Sequence, residues 1–241
     1  MMLLSHKILR VAVCLVALAG PSSRAQEAVT AATTASATFM QLPKKWQGAL
    51  TSSGTQLVTA VDGVRISVVE MWWARRLTGA SRKSKNSGLR YPQLQPGSVI
   101  GIINFPADSP EDFREDSRDR KLAPGFYTLR YVQLAHPDDE LGAERDVLLV
   151  TALDADSDPA KVLTQAEVAD RLRPSQKHHP ALIKLAPPNP AYDRVPALIN
   201  DDSGQAVLQN KLPVMSAVHG TATELPIAVV LITPPKESGG S

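Results

Sequence analysis

One short segment of the chain, AHPDDELG from Ala135 to Gly142, carries residues that could do hydrolytic chemistry. It places the imidazole of His136 close in sequence to the carboxylates of Asp138 and Asp139. Histidine and carboxylates are common ligands of Zn²⁺, and zinc lowers the pKa of a bound water so that the water can attack a carbonyl carbon near neutral pH. A metal-dependent hydrolase is therefore one function that this segment could serve.

The His-Pro-Asp-Asp sequence resembles the signature of zinc-dependent N-acetylglucosaminyl de-N-acetylases. The resemblance implies that His136 and Asp139 bind zinc and that Asp138 acts as the general base on the zinc-bound water. It also implies a remote histidine ligand, for which the sequence offers His178 and His179. In that family the motif closes the first strand of an α/β sheet, and small residues that open a helix follow it.

The residues on either side of the motif favour a different interpretation. The segments from Phe126 to Leu134 and from Asp146 to Leu153 both have the composition of β-strands, so the motif joins two strands. Proline, aspartate and glycine are ordinary residues of turns. We therefore predict a hairpin loop with no catalytic residue and no bound cofactor, and keep the zinc-dependent amidohydrolase as the alternative.

A second acidic segment, DADSDP from Asp154 to Pro159, has the alternating carboxylates of a calcium-binding loop. Such a loop needs glycine at its sixth position and glutamate at its twelfth, where this chain has Pro159 and Gln165. We therefore predict a turn in which Ser157 or Asp158 caps the helix that follows.

A basic segment from Ala74 to Arg90 contains six basic residues and no acidic one. Clustered guanidinium and ammonium groups bind phosphates and carboxylates, so an anionic glycan or lipid headgroup of the envelope is a candidate ligand. The candidate contacts are Arg75, Arg76, Arg82, Lys83 and Lys85. The alternative to a binding role is a solvated loop, and the acidic segment at 108–119 is a candidate neighbour of that loop.

The start of the chain has the pattern of a secretory signal peptide. Two basic residues precede an apolar run from Val11 to Ala19, and the small residues Ser23 and Ala25 precede a plausible cleavage point before Gln26. The apolar run is shorter than the roughly 20 residues that cross a bilayer, and no later stretch approaches that length. We therefore predict a periplasmic or secreted protein without a transmembrane segment.

Cleavage at this point changes the charge and the cysteine content. The single cysteine, Cys14, lies inside the predicted signal peptide, so the mature chain forms no disulfide. Cleavage also removes three basic residues and no acidic one, which takes the formal charge from +2 to about −1. This balance gives no global electrostatic reason to bind nucleic acid.

Short β-rich segments dominate the rest of the chain. Five of them are bounded by Gly, Pro, Asp or Asn, namely Val64–Trp73, Ser98–Phe105, Phe126–Leu134, Asp146–Leu153 and Ile227–Thr233. In the third of these the alternation buries Tyr131 and leaves Arg130 on an opposite, exposed face. Trp72 and Trp73 are adjacent and must face opposite sides of their strand, and we expect both to be buried.

One segment has the pattern of a helix. Pro159 stands at a natural first position, Thr164 and Glu167 have the spacing of a capping box, and Pro174 is a terminator. We therefore predict a mainly β protein, an antiparallel β-sandwich with one inserted α-helix. The sandwich domain spans residues 39–233, after a flexible lead at 26–38 and before a disordered tail at 234–241.

The segment PGFYTLRY at 124–131 resembles the turn and strand of secreted Ig-like or transthyretin-like β-sandwiches. The wider arrangement from Val68 to Leu185 is similar to a group of uncharacterised secreted bacterial proteins. This resemblance implies a fold and a location but no activity. The function we expect is that of a non-catalytic binding or accessory module of the cell envelope, with a glycan or another envelope component as a candidate partner.

Overall fold

A computed structural model describes the chain in eleven stretches, with gaps between them. These stretches are 30–34, 36–61, 64–80, 90–111, 114–118, 120–134, 145–173, 181–192, 194–200, 205–215 and 222–232. The predicted signal peptide and the predicted C-terminal tail lie outside the described residues. No helix within these stretches has the length and the apolar character needed to cross a membrane.

Strands make up most of the regular structure, which confirms the mainly β prediction. The strands of the described residues are β1 Thr30–Thr34, β2 Gly54–Val61, β3 Val64–Trp73, β4 Leu77–Thr78, β5 Val99–Phe105, β6 Gly125–Gln133, β7 Asp146–Ala152, β8 Ala181–Ala186, β9 Ala197–Asn200, β10 Ala206–Met215 and β11 Ala222–Ile232. The helical segments in the same stretches are a 3-10 helix at Ala37–Gln41, α1 at Lys44–Ala49 and α2 at Gln165–Leu172.

The strands join into one curled sheet. Its order is β1-β2-β3-β5-β6-β7-β8-β11-β10, and both β9 and β4 pair with β10. Neighbouring strands are antiparallel, apart from the short parallel pair of β4 and β10. Because β4 follows closely after β3, its pairing with β10 brings the far end of the sheet back towards β3.

This curled sheet is a half-barrel, so the prediction of a β-sandwich is not confirmed. A strand with one face against a core has the same alternating pattern in a sandwich and in a barrel. What differs is the set of strands that pair, and those pairs join residues far apart in sequence. The local pattern therefore predicted five of the strands but could not predict how the sheet closes.

The inner face of the sheet holds the main hydrophobic core. Side chains from β3, β6, β7 and β11 meet there, among them the fully buried Leu129, Tyr131, Leu148 and Ile227. The expected burial of Tyr131 is confirmed.

The outer face of the sheet is covered in two places. The 3-10 helix and α1 pack Phe39 and Trp46 against Trp72 of β3. The loop before α2 and α2 itself pack Leu163 and Val168 against β7 and β8. Both faces of β3 are therefore buried, and the expectation that Trp72 and Trp73 are both buried is confirmed.

Helix α2 begins later than the sequence pattern suggests. It starts at Gln165, and Thr164 is the N-cap residue: its side chain accepts a hydrogen bond from the backbone N–H of Glu167, and the Glu167 carboxylate accepts one from the backbone N–H of Thr164. The predicted capping box is confirmed. The prediction that Ser157 or Asp158 caps the helix is wrong.

Strand β1 lies in the segment that the sequence marks as a flexible lead. Thr30–Thr34 pairs along its whole length with β2, and Ala31 packs against the main core. A strand of alanine and threonine buries little apolar surface, so its order depends on backbone hydrogen bonds to a neighbour. The composition of the segment alone does not show that such a neighbour exists.

Candidate functional site

A cleft of about 500 Å³ opens on the outer side of the sheet, where the ends of β5 and β6 meet the 3-10 helix. A volume of this size suits a small organic ligand. The lining residues are Thr38, Gln41, Glu70, Asn104, Phe105, Pro106, Ala107, Pro124, Gly125 and Phe126.

The strand register places the central residues of the cleft in one row. Glu70 of β3 stands opposite Asn104 of β5, and Asn104 stands opposite Phe126 of β6. Trp72, two residues after Glu70, belongs to the cluster on the outer face of the sheet. Because side chains alternate along a strand, Glu70 projects from the same face as Trp72.

Glu70 is a buried carboxylate, with 5% of its surface exposed. One oxygen, Oε2, accepts a hydrogen bond from Asn104 Nδ2 at 2.9 Å. The other, Oε1, accepts hydrogen bonds from Ser36 Oγ at 2.9 Å and from Thr38 Oγ1 at 3.4 Å. All three donors are neutral, and no lysine, arginine or histidine of the described stretches forms a salt bridge with Glu70.

The two hydroxyl donors reach Glu70 because of how the 3-10 helix begins. Ser36 is its N-cap residue, and the Ser36 hydroxyl accepts a hydrogen bond from the backbone N–H of Thr38. Phe39, the next residue along, packs its ring 6.0 Å from that of Trp72. This contact holds the start of the helix against β3, beside Glu70.

The remaining walls of the cleft are largely apolar. The Phe126 ring is partly exposed and lies 6.3 Å from the ring of Trp72. Next to it, Gly125 has a backbone φ of +140°, a value that residues with a Cβ atom rarely adopt. A Cβ atom built on Gly125 would have no neighbour within 4 Å, so the backbone at the start of β6 borders open space.

The arrangement offers a ligand a carboxylate that can accept a hydrogen bond. Glu70 is the only ionisable residue among the described residues that line the cleft. Covalent catalysis needs a nucleophile beside a base, and many hydrolases need two carboxyl groups with different roles. A carboxylate offers about four acceptor positions, so the three hydrogen bonds to Glu70 leave room for a donor from a ligand.

A second buried polar cluster lies on the outer face of β6, around Arg130. The Arg130 side chain is fully buried, so the prediction that it is exposed is wrong. Its Nε and Nη2 donate to the two carboxylate oxygens of Asp156 at 2.5 and 2.9 Å. Its other N–H groups donate to the backbone carbonyls of Gly97, Asp158 and Lys161.

This cluster fixes the loop between β7 and α2. Burial alone would raise the pKa of Asp156, but hydrogen bonds from Arg130 and Thr128 outweigh that effect and hold the pKa below its usual value. The loop packs against Gly97, whose φ is +84° and where a Cβ atom would lie 2.1 Å from the carbonyl oxygen of Leu163. Asp156 therefore serves as the counter-ion of Arg130, in the segment that resembled a calcium loop.

His136, Asp138, Asp139, His178 and His179 all lie outside the described residues. The strands on either side of the motif are described, and Gln133 of β6 pairs with Asp146 of β7. Residues 135–144 therefore connect two antiparallel neighbours, as expected for a hairpin.

In the stretches that the structure describes, no three histidine, cysteine, aspartate or glutamate residues form a group that could hold a metal ion.

The basic segment is described only in part. Arg75 and Arg76 are exposed, and Arg75 Nε donates to the backbone carbonyl of Leu50 at 2.5 Å. Neither of them lines the cleft. Arg82, Lys83 and Lys85 lie outside the described residues.

The acidic segment at 108–119, a candidate neighbour of the basic one, forms ion pairs with the two basic residues that follow it directly. Asp116 pairs with Arg120, and Glu111 pairs with Lys121.

The sequence contained a signal for both buried charges, although it was not recognised. Glu70 and Arg130 are each flanked on both sides by large apolar or aromatic residues of their strand. A charge in such a position needs a partner when the strand is covered on both faces.

Comparison with protein-family models, with curated proteins and with solved structures finds no match to this chain.

Proposed function

We propose that the protein is an exported, non-catalytic binding or accessory protein of the cell envelope and that the cleft at Glu70 holds its ligand. The observation that carries the proposal is a buried carboxylate, bound only by neutral donors, at an open and largely apolar cleft. Pockets that combine apolar walls with a few convergent polar groups are the usual form of small-molecule sites. The described part of the lining has no second ionisable group, which supports binding rather than catalysis.

The antiparallel sheet also supports a non-catalytic function. The resemblance to de-N-acetylases implies that the His-Pro-Asp-Asp motif ends a strand of an α/β sheet and leads into a helix. In this chain the strand after the motif, β7, is the antiparallel neighbour of β6. A zinc site at this motif would therefore lie between two antiparallel strands and not at the end of a strand in an α/β sheet.

Export can be tested on the N-terminus of the protein. We expect full-length chain expressed in a bacterium with a periplasm to be recovered there with an N-terminus at or near Gln26, since the start of the sequence has the three parts of a signal peptide. N-terminal sequencing of the periplasmic fraction measures this. An intact Met1 terminus, found only in the cytoplasm, would contradict export.

The binding site can be tested with a steric block. Purified mature protein is screened by thermal shift and by NMR against glycan fragments, lipid headgroups and small amines, and each hit is measured again in Ala107→Trp. Ala107 is exposed and lines the cleft, so an indole there should fill the space without removing a buried contact. Ala169→Trp, on the exposed face of α2, is the matched control. Hits that bind Ala107→Trp as well as wild type would show that the cleft is not the site.

A further inference from the structure

We infer that the ligand of the Glu70 cleft is a small protonated amine with an apolar body. The inference rests on the proposed function, because it names the chemical class that the same cleft would take. Its basis is the charge of Glu70 and the character of the walls around it.

The charge of Glu70 is the first part of the argument. A buried carboxylate is costly unless it is paired and hydrogen bonded. Asp116 and Asp156 are also buried, and each pairs with an arginine, at 2.5 Å in both cases. Asp146, another buried carboxylate, accepts hydrogen bonds from the hydroxyl of Tyr131 and the backbone N–H of Arg90. It is not among the described residues that line the cleft, whereas Glu70 is. A ligand cation would supply the counter-charge that Glu70 lacks within the described residues.

The hydrogen-bonding positions favour a donor. Among the described residues, Asn104 alone donates a hydrogen bond to Oε2 of Glu70, which leaves this oxygen one free position. An ammonium group has N–H donors and no acceptor, so it matches that position. Its remaining N–H groups can donate hydrogen bonds to the side-chain oxygens of Gln41 and Thr38, which line the same cleft.

The walls explain the apolar body of the ligand. Phe126, whose ring is partly exposed, lines the cleft together with Pro106 and Pro124. Aromatic rings attract cations through their faces, and the same rings bury apolar surface. A carboxylate or phosphate ligand would be repelled by Glu70. A neutral polyol would leave the charge of Glu70 without a counter-ion and would cover the apolar walls poorly.

The test compares three probes that share a phenyl ring and differ in the head group. They are 2-phenylethylamine, 2-phenylethanol and 3-phenylpropionate, titrated near neutral pH and followed by NMR shifts of the backbone amides of Ala107 and Phe126. We expect the amine to bind at least about tenfold more tightly than the alcohol, because one charge-assisted hydrogen bond is worth that much. We expect no binding of the propionate.

Two variants assign this preference to Glu70. In Glu70→Gln the amine should lose its advantage over the alcohol. Asn104 can rotate its amide to present an oxygen to the new side chain, so hydrogen bonding can be kept. Glu224→Gln, which removes an exposed carboxylate from β11, should keep the full preference. Ala107→Trp should abolish the binding of every probe.

The outcomes separate this inference from the proposed function. Equal binding of amine and alcohol in the cleft, or tight binding of the propionate, overturns the amine and leaves the cleft as a binding site. If the amine does not bind but another ligand shifts the backbone amides of the cleft, the amine is likewise overturned and the cleft is kept as a binding site. Probe binding that persists in Ala107→Trp overturns both. If Glu70→Gln does not fold, the three probes on wild type and Ala107→Trp still decide the question.

Discussion

Two buried carboxylates on the outer side of the sheet differ in the charge of the groups that surround them. Asp156 meets a fully buried arginine whose every N–H group is directed at an oxygen. Glu70 meets two hydroxyls and one amide, and it lines an open cleft. The Asp156 carboxylate and its cation both come from the chain and join a loop to the sheet. The Glu70 carboxylate has the hydrogen bonds that fix its position but no counter-charge from any residue that the structure describes.

The two covers of the outer face explain why the surroundings differ. The loop before α2 brings backbone carbonyls to Arg130, and Leu163 and Val168 cover the strands beyond it. The 3-10 helix covers Trp72 but ends at Gln41, which is exposed at the edge of the cleft. One polar cluster is therefore enclosed, and the other stays accessible to a small molecule.

The largest expected effect breaks the enclosed cluster. Arg130→Ala should lower the free energy of unfolding by about 3 to 5 kcal/mol, because removing one partner of a buried ion pair leaves the other charge uncompensated. Urea denaturation of the mature protein measures it. Arg173→Ala is the control, since Arg173 is exposed and pairs with exposed Asp170, and it should cost less than about 1 kcal/mol. Equal costs would show that Arg130 is not enclosed in solution.

A smaller effect depends on pH. Because the pKa of Asp156 is lowered in the folded protein, the unfolded chain binds a proton at this position more readily. The stability that Asp156 supplies is therefore complete above a pH of about 4 and is lost as pH falls through the folded-state value. We expect Asp156→Asn to be less stable than wild type by about 1 to 3 kcal/mol near neutral pH.

The pH series provides the check on that prediction. Urea denaturation of wild type and Asp156→Asn from neutral pH down to about 3 should show the two free energies of unfolding converging below a pH of about 4. A constant difference over this range would mean that the Asp156 pKa is not lowered by folding.

Glu70→Gln should have a smaller effect on stability than either change at the enclosed cluster. The substitution removes a buried charge that has no cation among the described residues, and it keeps groups that can hydrogen bond to Ser36 and Asn104. We expect a change below about 1 kcal/mol, of either sign. The same denaturation experiment measures it. A loss as large as that of Asp156→Asn would mean that Glu70 is mainly a structural residue, and the comparison between the two clusters would fail.

Five of the eleven described strands could be predicted from the sequence because they depend on local patterns. The bounds of β3 are as predicted, and those of β5, β6 and β7 are shifted by at most one residue at either end. The strand predicted at Ile227–Thr233 is part of the longer β11, which begins at Ala222. The Thr164 capping box was also predictable, since it depends on residues three apart. Alternation also predicted the buried face that carries Tyr131.

The sites were not predictable in this way because their partners are remote. Arg130 finds its counter-ion 26 residues away, and Asn104 and Ser36 each reach Glu70 across 34 residues. A buried charge and an exposed one look alike in a strand segment until the covering element is known. The half-barrel could not be predicted for the same reason, because the pairing of β4 with β10 joins residues that are distant in sequence.

The smallest expected effect concerns a third kind of carboxylate, one whose counter-ion is a metal. The de-N-acetylase resemblance implies this setting for Asp139, with His136 as a fellow ligand. We predict a hairpin loop instead, so the purified mature protein should contain no stoichiometric zinc, and a chelator should leave its Tm unchanged. A zinc site would respond strongly, because removing the cation exposes the repulsion between its ligands and withdraws binding energy from the folded state. Elemental analysis and a melt with and without chelator measure both quantities. One equivalent of zinc, lost in His136→Ala but kept in a control such as Gln133→Ala, would contradict the loop prediction and favour an amidohydrolase.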